Sequence, residues 1–236
     1  MIDHDHALAA LVDDGAAAAA RHASVAAVLH LPTGDWRGAE HADRARGGYG
    51  LLALGGLLVR RVGVEGRYSA ELLGAGDLLR PWQHDGEGSS TMPFETTWRV
   101  AVPARLAVLD LPWAARMARY PQVGAELAGR ALMRSLRVVT MMAIAQQPRL
   151  DVRLWLLFWE LADRFGTVHR DGVHLDLPLT HEVLSHMAAA RRPSVSGALT
   201  KLADRGLVRR AGRDWVLTGE PPGDPANGTA AELLAD

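Results

Sequence analysis

The run from Thr180 to Leu217 admits few folds. Thr180 is a good helix N-cap, and Glu182 in the first turn complements the helix dipole. His181–Ala189 then reads as a short helix with Val183, Leu184 and Met187 facing inward. The link Ala189-Ala190-Arg191 is tight and small. Pro193 falls in the first turn of a second helix, where its missing N–H costs nothing. Val195, Ala198, Leu199 and Leu202 recur at the spacing of one buried stripe. Pro193, Gly197, Thr200, Lys201 and Asp204 fall on the opposite face, with Arg192, Ser194 and Ser196 on the flanks. Gly206 stops the helix. Leu207–Arg210 and Trp215–Leu217 make a β-hairpin around Ala211-Gly212-Arg213-Asp214. Two short helices, a tight turn and a basic hairpin are the layout of a winged helix-turn-helix.

Charge supports a polyanionic partner for this unit. The whole chain has 26 basic and 27 acidic residues, a formal net charge of −1. Lys201 is its only lysine, so arginine abundance reflects coding bias and says nothing by itself. Leu179–Arg213, however, carries seven basic residues against two acidic ones. A DNA major groove admits one helix, and base edges are read from that helix's N-terminal residues. Arg192, Pro193, Ser194, Ser196 and Gly197 are therefore expected in the groove. Arg191, Thr180, His181, Lys201, Arg209, Arg210 and Arg213 are expected at phosphates. The alternative is a docking surface for another protein, or a small-molecule module whose helix-turn-helix does not bind DNA. Steep salt dependence would separate the two.

The rest of the chain changes character twice. Met1–Ala20 is an acidic leader ending in an alanine run, expected to be flexible. Ser24–Leu31 reads as a first strand closed by Pro32-Thr33-Gly34-Asp35. Gly48–Asp110 is β-like: Tyr49–Leu54 and Leu57–Val62 are split by Gly55-Gly56, a hairpin signal. Tyr68–Leu73 follows the turn Glu65-Gly66-Arg67, and Gly74-Ala75-Gly76-Asp77 makes another turn. Trp98, Val100 and Val102 alternate at period two, and Arg105–Leu109 continues after Pro103. Several short strands at this spacing predict a β-barrel or β-roll, with Gln83–Thr91 a loop.

Pro112–Arg119 reads as a short helix and Pro121–Gln147 as a long one. Leu127, Ala131, Val138, Met141 and Ala145 form one apolar line on the long helix. Ala128, Leu132, Val139 and Met142 lie beside it. So broad a stripe needs a partner along its length, and a second copy of the chain is expected there, on Leu127, Ala131, Val138, Met141, Met142 and Ala145, with packing inside one subunit as the alternative. Pro148 breaks that helix, Asp151 can cap the next, Val152–Phe165, and Val173–Leu177 is a short strand. The expected domains are a leader (1–20), a β-roll (21–112), a short and a long helix (113–148), the winged unit (149–219) and a disordered acidic tail (220–236). The class is α+β.

The order of these elements resembles the Crp/Fnr family of bacterial transcription regulators. The matching residues are Asp151–Gly166 leading into Leu177-Pro178-Leu179-Thr180, then Arg192-Pro193-Ser194-Val195-Ser196, then Lys201-Leu202-Ala203-Asp204-Arg205-Gly206-Leu207-Val208. Gly74-Ala75-Gly76-Asp77-Leu78-Leu79 is similar to the family's turn before its effector-binding segment. The resemblance implies a homodimer that binds a two-fold double-stranded DNA site and acts on RNA polymerase; a cytoplasmic location is expected because the acidic start Met1–His6 lacks a signal-peptide pattern. Two departures bear on that expectation. The family's reading helix carries Arg-Glu-x-x-x-Arg, where this chain has Arg192, Pro193 and Gly197. Its cyclic-nucleotide members carry Gly-Glu-Leu and later Arg-Ser or Arg-Thr, where this chain has Arg80-Pro81-Trp82 and Glu95-Thr96-Thr97-Trp98. An acid beside a phosphate repels it, so cyclic AMP is not expected in the family's mode. Arg80, Trp82, Trp98 and Arg99 either form another effector site or split into barrel-filling rings and solvated cations.

Other chemistry finds little support. Cysteine is absent, which excludes disulfides, iron–sulfur clusters and cysteine nucleophiles. Gly48-Tyr49-Gly50-Leu51-Leu52-Ala53 has a loose dinucleotide-binding pattern, but Gly55-Gly56 follows instead of a helix. His4 and His6 sit near the terminus and His84 is the only histidine of the β region, whereas a metal enzyme needs about three converging ligands. No enzyme activity, cofactor or membrane span is expected.

Overall fold

The computed structural model describes residues 1–82 and 92–222. The chain forms two compact units, Met1–Arg67 with Glu71–Arg137, and Tyr68–Ala70 with the residues from Val138 onward. The loop expected at Gln83–Thr91 and the tail beyond residue 222 lie outside the described residues.

The first unit is a β-roll carrying helices at both chain ends. Its strands are β1 (Val28–Leu31), β2 (Gly34–Trp36), β3 (Gly50–Val64), β4 (Arg67–Leu73), β5 (Leu78–Leu79) and β6 (Glu95–Leu109). The sheet runs β1-β6-β3-β4, with β2 also on β6 and β5 also on β3. Three sequence expectations change here. The first strand begins at Val28 rather than Ser24, and Gly34-Asp35 belongs to a strand rather than a turn. Gly55-Gly56 is not a hairpin: β3 runs straight through it, and the pairing with β6 slips there. A bulge explains the pair, because Gly56 has φ +87° and a Cβ on it would lie 2.3 Å from the Pro103 carbonyl oxygen. The true hairpin comes next, where Glu65 and Gly66 both have positive φ between β3 and β4, as a two-residue type I′ turn requires.

The leader is packed rather than flexible. Helices α1 (His6–Ala9) and α2 (Ala17–Ala23) bring Ile2, Leu8, Val12 and Ala20 into a core with Trp113, Met117, Val123 and Leu127. Leu8 is fully buried, and burying one such side chain stabilises by about 1.5–3 kcal/mol. Polar bonds fasten the same segment: the Trp113 indole N–H donates to the Ser24 carbonyl at 3.2 Å, and Arg116 donates to the carbonyls of Ala23 and Val25. An acidic, alanine-rich stretch carries no periodic signal strong enough to show this. Between β2 and β3 lies a further short helix, α3 (Ala42–Ala45).

Helix α4 (Leu111–Met117) is capped by Asp110, whose carboxylate accepts from the Trp113 amide at 2.7 Å. Helix α5 (Pro121–Ala145) follows. Three arginines four and three residues apart tie one of its faces down. Arg130 grips the Asp5 carboxylate at 2.5 and 2.9 Å, Arg134 grips Glu71 at 2.7 and 2.9 Å, and Arg137 reaches Asp77 at 3.1 Å. Glu71 also holds Arg60 at 2.8 Å. Burial works against the charge on Arg134, but the bonds from Glu71 outweigh it and raise its pKa. Leu127 lies on this tied face and is fully buried in the core, so it is not available to a second chain. Met141 and Ala145 are half-buried, while Ala131, Val138 and Met142 are exposed. The open apolar face is the neighbouring line, with Leu132, Leu136, Val139 and Met142 between 56% and 71% exposed.

The second unit holds α6 (Leu150–Phe165), β7 (Gly166–His169), β8 (Gly172–Leu175), α7 (His181–Met187), α8 (Arg192–Asp204), β9 (Val208–Ala211) and β10 (Asp214–Leu217). Strand β7 was not expected from the sequence, and β8 stops two residues short of Leu177. The sheet order is β7-β8-β10-β9. Asp151 does not cap α6. Arg149 occupies the cap position, and Asp151 sits in the first turn paired to Arg149 at 2.7 Å. That guanidinium holds the Asp151 carboxyl below the usual carboxylate range. Helix α6 packs on α8, and its Phe158 ring lies 5.0 Å from Trp215 of β10. Among the described residues no helix is long and apolar enough to cross a membrane, and no group of three or more acidic or histidine side chains could hold a metal ion.

Candidate nucleic-acid interface

Two helix ends and a hairpin position the basic side chains. Thr180 caps α7 as its sequence predicts, its hydroxyl accepting from the Val183 amide at 3.1 Å. The link to α8 is a Schellman turn: Ala189 takes φ +48°, and the Ala190 amide donates back to the Ser185 carbonyl at 2.9 Å. Arg153 of α6 donates to the Ala188 carbonyl at 3.2 Å, which satisfies an acceptor left over at the end of α7. This tight turn leaves the first turn of α8 open to solvent. Arg191, Arg192, Pro193 and Ser194 are all exposed there, and Gly197 and Lys201 continue the same face. Val195, Ala198, Leu199 and Leu202 are buried beneath them, as their spacing predicts. Nothing lies within 4 Å of where a Gly197 Cβ would sit, so this part of the helix can approach a surface closely.

Ser196 differs from the other residues expected in the groove. It is half-buried, and its hydroxyl lies 2.8 Å from Nδ1 of His181. The pair braces α7 against α8, leaving Nε2 of His181 as the ring nitrogen for a further partner. No sequence signal links residues on two different helices in this way.

The hairpin separates the two adjacent wing arginines. Arg209 stands opposite Val216 and Arg210 opposite Trp215, so the two project to different faces of the sheet. Arg210 lies 4.4 Å over the Trp215 ring, a cation–π contact. Arg209 forms an ion pair with Asp171 at 2.6 Å. Arg213 sits in the β9–β10 turn and is exposed, beside Gly212 at φ +63°. Among the described residues Arg191, Arg192, Lys201 and Arg213 make no ion pair.

The four residues considered for an effector divide, the two rings at one inner cluster and the two cations elsewhere. Trp98 is buried in the roll, and Trp82 packs partly buried against the same inner cluster. Arg80 turns away to the backbone carbonyls of Tyr49, at 3.1 Å, and Gly48. Arg99, next to Trp98 on β6, projects to the other face and pairs with Asp35 at 3.1 Å where both are exposed. The residues beside Trp98 are ones the sequence did not single out. Trp36 and Arg60 stand directly opposite it on β2 and β3. The Trp36 ring meets Trp98 edge-on at 5.7 Å, and the Arg60 guanidinium lies 5.9 Å from its centroid.

Comparison with known proteins agrees with this geometry. Residues 152–219 match the family model of the Crp-like helix-turn-helix domain. No curated protein matches the chain in sequence. Among solved structures, a cyclic nucleotide-binding domain containing protein from Listeria monocytogenes EGD-e is similar at TM-score 0.65 and 13% identity, over 90% of this chain and 96% of that one. The c-di-GMP responsive global regulator CLP of Xanthomonas campestris is similar at TM-score 0.59 and 17% identity, over 88% and 100%. A CRP family transcriptional regulator from Thermus thermophilus, TTHB099, is similar at TM-score 0.50 and 22% identity, over 83% and 90%. Identities this low speak for the fold, and the matched domain speaks for the C-terminal unit. The C-terminal unit thus holds a Crp-like helix-turn-helix domain, and the fold around it, a β-roll followed by a long helix, is like that of the Listeria and Thermus proteins.

Proposed function

We propose that this chain is a DNA-binding transcription regulator that acts as a homodimer on a two-fold DNA site. The observation that carries the reading is the exposed first turn of α8. Arg191, Arg192, Pro193 and Ser194 lie open there on a Crp-like helix-turn-helix, with Lys201 farther along the same face and no carboxylate paired to these cations among the described residues. Arg192 has the donors to hold a guanine edge bidentately, worth about 1–3 kcal/mol of discrimination. Pro193 presents an apolar ring to a thymine methyl, and Gly197 lets the backbone approach. Lys201, Arg213 and Arg209 supply phosphate contacts, and His181 supplies one more through Nε2. RNA polymerase is the partner such a regulator acts on.

Dimerisation is supported by the open face of α5. Leu132, Leu136, Val139 and Met142 repeat every three or four residues and are more than half exposed, so a second copy of the helix would bury them. The effector reading narrows. The interior of the roll is filled by Leu51, Leu58, Leu73, Trp98, Val100 and Leu106, and the Arg80 and Arg99 guanidiniums are engaged elsewhere. This supports a regulator that does not take cyclic AMP in the family's mode.

Selection from a pool of random-sequence duplexes, followed by salt titration, tests the function. A two-fold motif spaced by about one helical turn is expected, with an affinity that falls steeply as salt rises. Arg192→Ala is expected to relax preference at one base pair of each half-site. Binding that shows neither sequence enrichment nor salt dependence would sink the reading.

A further inference from the structure

The wing arginine expected at a DNA phosphate already holds an anion. Asp171 sits in the turn between β7 and β8, far from Arg209 in sequence. Its two carboxylate oxygens have different partners: one lies 2.6 Å from the Arg209 guanidinium and the other 2.9 Å from Nε2 of His174. The sheet register explains how they meet. His174 on β8 stands opposite Val216 on β10, which stands opposite Arg209 on β9, so the three line one face of the sheet. Asp171 spans that row from His174 to Arg209, and Val216 beneath is fully buried. Asp214 flanks the same row, 3.9 Å from the other nitrogen of His174. His174 and Arg209 hold the Asp171 carboxyl below its usual range, so it is ionised at neutral pH. Asp171 and Arg209 are each about half exposed, so solvent and ligands reach the pair.

We propose that Asp171 is an internal stand-in for a DNA phosphate on Arg209, and that it thereby sets how much the wing adds to DNA affinity. A carboxylate and a phosphate present the same pair of acceptor oxygens to a guanidinium. Binding DNA through Arg209 therefore requires an exchange of anions rather than simple addition of one. An exposed ion pair is weak enough to be exchanged. The wing contact is thus attenuated, and more of the affinity rests on the first turn of α8, where Arg191 and Arg192 have no such competitor among the described residues. The inference rests on the DNA-binding reading and adds a residue that tunes it.

A double-mutant cycle on the full chain provides the test. Wild type, Asp171→Asn, Arg209→Gln and the double variant are titrated against a labelled random-sequence duplex of about three helical turns, across a range of salt concentrations. Asp171→Asn is expected to bind about three- to eightfold more tightly near 0.1 M salt, with a salt slope steeper by close to one phosphate contact. Arg209→Gln is expected to cost more in the Asp171→Asn background than in wild type. Asp171→Ser guards against a residual amide bond, and thermal unfolding of each variant checks that it folds.

If Asp171→Asn leaves affinity and slope unchanged, Asp171 does not mask Arg209 and the proposal fails. If its gain persists in the Arg209→Gln background, the gain is a general charge effect and the proposal fails equally. Wild type that binds no duplex even at low salt would instead overturn the DNA-binding reading, and this inference with it.

Discussion

Each of the two units is held together internally by its own kind of partner. In the helix-turn-helix unit most polar bonds close within a few residues. Thr180 caps Val183, Ser185 bonds Glu182, and Arg149 pairs with Asp151. In the roll and the helix tied to it, beside local caps such as Asp110, many partners are far apart. Arg130 and Asp5 are separated by 125 positions, Trp113 and Ser24 by 89, and Arg134 and Glu71 by 63. The first kind of contact is encoded in adjacent letters, and a single substitution there perturbs one turn. The second kind forms only when distant segments have already packed, so one substitution loosens several segments together.

The largest test of this contrast lies in the segment expected to be flexible. Leu8 is fully buried against the core that includes Trp113 and Leu127. Leu8→Ala is expected to cost about 2–5 kcal/mol, the range for truncating a buried leucine. Urea unfolding followed by tryptophan fluorescence measures it. A change within experimental error would mean that the segment contributes nothing to the core and that the contrast between the units is misplaced.

Glu71 offers a sharper, smaller test. Its carboxylate is shared by Arg60 and Arg134, and all three side chains are about one-fifth exposed. Removing one partner of a fully buried pair costs about 3–5 kcal/mol, and an exposed pair is worth about 1 kcal/mol or less. Glu71→Gln should fall between, at about 2–3 kcal/mol, because it leaves two guanidiniums facing each other without their anion. If the loss is no larger than that of Asp35→Asn, whose partner Arg99 is exposed, the arginine face of α5 does not fasten the helix.

What could be read from the sequence follows the same division. The α8 stripe, the Thr180 cap, Pro193 and the β9–β10 hairpin were all legible because helix period, caps and turn residues act locally. Of the α5 residues expected against a second copy, Leu127 faces inward instead: Leu127 and Leu132 are both apolar, and only the positions of Asp5, Glu71 and Asp77 in space decide which of them is buried. Gly55-Gly56 failed for a related reason. A glycine pair marks a turn or a bulge equally well, and the Pro103 carbonyl that makes it a bulge lies on another strand. At the candidate interface, Arg192 and Lys201 were legible as exposed cations. The engagement of Ser196 by His181 and of Arg209 by Asp171 was not, since each joins separate elements.

The smallest expected effect isolates backbone strain within the legible unit. Helices α7 and α8 end in the same motif. Ala190 donates to Ser185 after α7, and Leu207 donates to Leu202 after α8, each at 2.9 Å. The residue that must turn left-handed is Gly206 in one case, at φ +70°, and Ala189 in the other, at φ +48°. An L side chain in that conformation costs about 1–2 kcal/mol, while glycine loses about 0.5–1 kcal/mol more backbone entropy on folding than alanine. Ala189→Gly should therefore stabilise the unit by about 0.5 kcal/mol, and Gly206→Ala should destabilise it by a similar or slightly larger amount. Hydrogen exchange at the Ala190 and Leu207 amides reads each turn separately from the rest of the protein. Ala189 is exposed, so its methyl group has little packing to lose. If Ala189→Gly instead weakens protection at Ala190, the alanine is there to stiffen the link that sets α8, and its strain is offset by the freedom it denies that link.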